Sequence, residues 1–86
     1  MTQEELNEIE TRCNKATKGP WKSMVEGRDH FSGDSFIMTE GQDIYISNPL
    51  FDNNQDFIAN ARQDIPKLID EIRRLKKLVR IKNNGA

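Results

Sequence analysis

The sequence predicts an α+β fold: an N-terminal helix, a three-stranded antiparallel meander, and a long, proline-interrupted C-terminal amphipathic helix that mediates oligomerisation. Three observations predict it. A capping pair, Thr2 and Glu5, opens a stretch with apolar residues at helical spacing that Gly19-Pro20 closes. Three short β-prone runs follow, separated by glycine-bearing turns. From Ile58 to Val79, apolar residues recur at alternating steps of three and four.

The first helix is expected over 3–18. Thr2 and Glu5 have capping-box spacing, each able to satisfy an orphan backbone amide of the first turn. Leu6, Ile9, Cys13 and Ala16 make a narrow apolar stripe. Glu4, Glu5 and Glu8 lie near the start and Arg12, Lys15 and Lys18 near the end, the order that complements the helix dipole. Gly19 is read as the left-handed cap, and Pro20 cannot continue a helix.

The strands are expected at about 21–25, 35–39 and 43–47. The last alternates most clearly, with Ile44 and Ile46 on one face and Tyr45 on the other, and Asn48-Pro49 ends it. Glu40-Gly41-Gln42 makes the tighter turn. The polar stretch from Glu26 to Asp34 makes the longer loop.

The last helix is expected at about 54–82, with Asp52, Asn53 and Asn54 as candidate N-caps. Ile58, Ala61, Ile65, Leu68, Ile72, Leu75 and Val79 form a heptad stripe. The four residues at its first position are β-branched, and two of the three at the second are Leu, the pattern of parallel dimers. Phe57, Ile69 and Leu78 widen the stripe enough to cover the sheet. Asp70 and Arg74 are spaced for i,i+4 support. Pro66 removes a hydrogen bond and crowds the carbonyl one turn back, so a kink near Arg62 to Asp64 or two consecutive helices are expected, Asp64 capping the second.

Composition sets the outer limits. A chain of 86 residues is at most one small domain, 1–86, and its own core is marginal. One cysteine and one histidine allow neither an internal disulfide nor an ordinary zinc site, so oligomerisation is the supplement left. A net charge of −1 marks the whole chain as neither nucleic-acid binder nor acidic tail. No apolar run approaches a membrane span, the acidic N-terminus gives no signal peptide, and a lone thiol fits a reducing compartment. A cytoplasmic protein without metal or cofactor is expected.

Few residues offer chemistry. His30 lies among Arg28, Asp29 and Asp34, where a general base is conceivable and a solvated loop is the plainer reading. Nucleophile motifs, phosphate loops and dinucleotide fingerprints are absent from the sequence, so no enzyme is expected. The basic tail offers Arg73, Arg74, Lys77 and Arg80 for phosphate contact, against the plainer reading of a solvated face complementing the helix end. Trp21 and Tyr45 are candidates to stack a base, and Arg62 and Asp64 to bind a ligand beside the proline. The plainer readings are a core Trp, a flanking Arg and a capping Asp.

Two segments carry a resemblance. Ala16-Thr17-Lys18-Gly19-Pro20-Trp21 resembles the "ATPGPW" element that closes the first helix in a group of small phage and prophage proteins, with Lys18 where that group often has proline. The stretch from Phe57 to Leu75 resembles their "FIAxARxDIPxLLxEIxRL" element. The resemblance spans about Leu6 to Leu75 and implies a phage accessory protein. Such proteins commonly bind host factors, and some inhibit an immune nuclease complex or sequester a nucleotide signal. The expected function is therefore non-enzymatic binding that counters a host defence in the bacterial cytoplasm. A nucleic-acid-binding regulator and a helix-mediated scaffold are the alternatives. The expected partners are a second copy or a higher homo-oligomer, and a host protein or nucleotide.

Overall fold

A computed structural model of the chain describes residues 1–30, 32–46 and 52–85, with side chains to Lys82. The element order is α1 (Gln3–Lys15), β1 (Lys22–Met24), β2 (Phe36–Met38), β3 (Ile44–Tyr45) and α2 (Asp52–Gly85). This is the α+β arrangement of two helices and a three-stranded antiparallel meander. Ser47, the end of the expected third strand, and the Asn48-Pro49 terminator lie outside the described residues.

Thr2 caps α1 as expected. The Glu5 amide donates to Thr2 Oγ1 (3.1 Å) and the Thr2 amide to Glu5 Oε1 (2.9 Å). Those bonds from Thr2 hold the Glu5 carboxyl below its usual range. The helix ends earlier than expected. Ala16 turns to an extended conformation (φ −71°, ψ 157°), its amide shared between the Arg12 and Cys13 carbonyls. Gly19 is therefore not a left-handed cap. Its requirement is space: a Cβ there would stand 3.3 Å from Gln63 Oε1 and 3.4 Å from Arg62 Cγ.

The sheet order is β1-β2-β3, pairing Ser23 with Ile37 and Ile37 with Ile44. Thr39 Oγ1 closes the short turn, accepting from the Gly41 amide and donating to the Gln42 carbonyl (both 2.9 Å). The longer loop turns through positive φ at Gly27 and His30. Arg28 fastens it to α2, bridging Asp29 and Asp56 with contacts of 2.8–3.1 Å. Asp29 also accepts from the Val25 amide (2.7 Å).

Both carboxyls are held below their usual range. For Asp29 the Val25 amide is the leading cause and Arg28 the next; for Asp56 it is Arg28. A carboxylate depressed in the folded state contributes stability above its unfolded pKa and loses it as pH falls through the folded one. The contribution is therefore present above about pH 4 and fades below it. Arg28→Ala should flatten that acid dependence, bringing neutral-pH stability closer to the acid value. Urea midpoints at neutral pH and near pH 3 measure this.

α2 is a single element from Asp52 to Gly85 that contains Pro66, so two consecutive helices do not occur. Asp52, Asn53 and Asn54 lie in its first turn, and Asp64 is an exposed interior residue rather than a cap. The expected Asp70–Arg74 support is replaced by an ion pair between Arg74 and Glu71.

α1 runs antiparallel to α2. Arg62 Nε donates to the Thr17 carbonyl (3.0 Å), Arg73 makes a two-pronged pair with Glu10 (2.7 and 3.1 Å), and Lys76 Nζ donates to the Met1 carbonyl (2.7 Å). Among the described residues, Leu6, Val25, Ile37, Ala59 and Ile69 are the buried apolar ones.

The face of α2 that meets the sheet is not the widened stripe. Phe57 is 76% exposed and Leu78 48%. The sheet is met instead by Gln55, and two turns on Gln63 meets Trp21 just before β1, with Ala59 buried between them. Gln55 is buried, and its Nε2 lies within bonding distance of Ser23 Oγ (2.8 Å) and the Phe36 (3.0 Å) and Met24 (3.2 Å) carbonyls.

Candidate functional site

The unusual sequence on either side of Pro66 meets the turn after α1. Thr17, left beyond the end of α1, offers a carbonyl that accepts from both Trp21 Nε1 and Arg62 Nε (3.0 Å each). Gln63 treats Trp21 as a strand neighbour would. It accepts from the Trp21 amide at 2.7 Å and donates to the Trp21 carbonyl at 3.1 Å. The same Nε2 also reaches the Ala59 carbonyl (3.2 Å), which steadies the side chain on its own helix. Residues 16–21 and 59–66 are thus two halves of one joint.

The four expected ligand-binding residues separate. Trp21 and Arg62 come together, both half-buried and both bonded to Thr17. Asp64 stands exposed on α2. Tyr45 lies exposed on β3 with its ring 5.5 Å from that of Phe36. Trp21 and Arg62 therefore spend their polar reach inside the fold. An open cleft of about 420 Å³ remains beside them, lined by Gly19, Pro20, Arg62, Gln63, Pro66 and Lys67. Gln63 was not among the expected site residues. Its signal was weak but present: two glutamines eight residues apart with alanine midway, on a helix that meets a sheet.

The basic tail is partly spent as well. Arg73 is paired with Glu10 and Arg74 with Glu71, which holds both carboxyls below their usual range and both guanidinium groups above theirs. Lys77 and Arg80 line a hollow of about 280 Å³ with Gln3, Arg73 and Lys76. His30 is exposed, and Asp29 beside it is taken by Arg28 and the Val25 amide. Among the described residues no group of three or more His, Cys, Asp or Glu side chains could hold a metal ion, and no helix is long and apolar enough to cross a membrane.

A further concave surface is apolar and lies between the helices. A groove of about 450 Å³ has Leu6 and Ile69 in its lining, with Ile9 and Cys13 from α1 and Leu68 and Ile72 from α2. It passes Arg12, Cys13 and Ile65 into a second hollow of about 240 Å³ that reaches Trp21 and Ile58. The two make one trough along the helix pair. Its α2 bank is the heptad stripe from Ile58 to Ile72, which Leu75 and Val79 continue beyond it; Ile58, Ile65, Leu68, Leu75 and Val79 are 37–59% exposed while Ala61 and Ile72 are half-buried.

No protein-family model matches the chain, and no curated protein or solved structure is similar to it.

Proposed function

We propose that this protein acts by binding another protein, without catalysis, and that the arm of α2 beyond Lys76 is the recognition element. The observation that carries this reading is the position of Leu78 and Ile81. Lys76 donates to Met1, just before α1, and Gln3 shares a hollow with Lys77 and Arg80, so the start of α1 borders only the near side of this arm. From Lys77 to Gly85 the helix runs on for ~13 Å. Leu78 and Ile81 are 48% and 56% exposed there, Leu78 at the edge of the heptad stripe and Ile81 outside it, so helix pairing along that stripe does not account for Ile81.

Lys77, Arg80 and Lys82 share the arm. An apolar helix face with cationic flanks fits an apolar groove with acidic margins, the helix-in-groove mode of recognition. The setting we propose is a phage accessory protein whose partner belongs to a host defence complex. It is supported by the two sequence elements that resemble those of phage and prophage proteins.

The test is capture from a lysate of the cells that carry the gene, with wild type beside Leu78→Asp/Ile81→Asp. Both positions are exposed, so the variant should keep its circular dichroism. A protein retained by wild type and released by the variant is the expected result. Equal capture by both, or capture by neither, overturns the reading.

A further inference from the structure

The trough between α1 and α2 is apolar along its length, and nothing in the described chain covers it. We propose that a second copy of this chain fills it, with the two α2 helices side by side and parallel about a two-fold axis. This proposal does not depend on what the arm binds.

Three observations carry it. First, the exposed bank of the trough keeps steps of three and four residues from Ile58 to Ile72, and the same spacing continues along α2 through Leu75 to Val79, the spacing of a helix–helix seam rather than of a small-molecule cavity. β-branched residues occupy its first position, and Leu68 and Leu75 two of its three second positions, the preference of parallel pairs.

Second, the placement of α1 decides between orientations that the stripe alone leaves open. α1 occupies one flank of the stripe, where Arg62, Ile69 and Lys76 meet it or its ends. The other flank carries Asp64 and Glu71, with Leu78 one heptad further on. In an antiparallel pair the free flanks face each other, bringing Asp64 of each copy towards Glu71 of the other, a carboxylate that Arg74 already engages, so Asp64 gains no partner there. In a parallel pair the free flank of one copy meets α1 of the other.

Third, that contact is complementary. Arg12 lines both hollows beside Ile65, so it lies at the level of Asp64 in a parallel partner. Among the described residues neither Arg12 nor Asp64 has an ion pair within the chain. A two-fold axis would make the Arg12–Asp64 contact twice. The parallel pair also sets Val79 beside its own counterpart, places Leu78 at the edge of the seam and leaves Ile81 of both arms facing outward.

Sedimentation equilibrium of the full chain should show a concentration-dependent dimer, and Leu68→Asp should be a folded monomer. Arg12→Asp and Asp64→Arg should each weaken dimerisation about tenfold, and the double swap should restore it to within about threefold. Orientation is read from Val79→Cys in a Cys13→Ser background. Mild oxidation should link the parallel pair through Cys at that position. A wild type that stays monomeric, a double swap that fails to restore the dimer, or a dimer that does not cross-link at position 79 each overturns the proposal. Loss of dimerisation without loss of arm-dependent capture would leave the binding function standing and remove only the parallel pair.

Discussion

Gln55→Leu should lower the stability of this protein by about 2–3 kcal/mol and its Tm by roughly 10–20 °C, although it replaces a polar side chain with an apolar one of similar size. Gln55 is 1% exposed, and its Nε2 faces the hydroxyl of Ser23 and the carbonyls of Met24 and Phe36. One amide group therefore ties β1, β2 and the start of α2 together. Leucine brings no donor, and each carbonyl that loses one in a buried setting costs about 1 kcal/mol or more. A chain of this length has a total stability of only ~4–13 kcal/mol, so the loss is a large fraction. Thermal unfolding followed by circular dichroism measures it. A change below about 0.5 kcal/mol would mean that the helix and sheet are held by something other than this amide.

Leu6→Ala should cost more, about 3–4 kcal/mol, or roughly 12–30 °C in Tm. Leu6 has no exposed surface and helps line the groove opposite α2, where Ile69 is the matching buried residue. Truncation removes buried methyl groups and enlarges a hollow that is already open on one side. The loss loosens α1, whose other ties to α2 include the Arg73–Glu10 pair and the contacts at Thr17 and Met1. Leu68→Ala, on the exposed bank of the same groove, should cost under about 1 kcal/mol in the monomer. Urea unfolding of both variants measures the contrast. Equal effects would mean that the groove is not organised around Leu6 as described.

These two residues show what the sequence could and could not reveal. Elements set by local chemistry were legible. Thr2 and Glu5 satisfy each other's backbone within one turn, and Thr39 closes a turn with Gly41 and Gln42, so α1's start and the tighter hairpin follow from neighbours. The orientation of α2 was not legible. Apolar residues are ordinarily read as the inward face, yet glutamines meet the sheet while much of the apolar stripe stays open. Glutamine is nominally a surface residue, and only the arrival of β1 and β2 gives Gln55 its partners.

The contacts around Pro66 were not legible for a similar reason. Arg62 beside a proline reads as a ligand-binding corner. Its observed partner, the Thr17 carbonyl, is 45 positions away in sequence and becomes available because α1 ends at Lys15. Gly19 likewise reads as a cap, and its requirement for space exists only once Arg62 and Gln63 lie against it. The peculiar residues of the two motif-bearing segments are thus largely accounted for by the contact between them. The exposed apolar residues, the stripe and the arm, are the part of the molecule that folding leaves unpartnered.

Cys13 reports on that surface directly, because it lines both hollows of the trough and is the chain's one thiol. The rate of its alkylation by a bulky maleimide should fall as wild-type protein concentration rises and stay constant in Leu68→Asp. A wild-type rate that does not change with concentration would contradict the second copy in the trough.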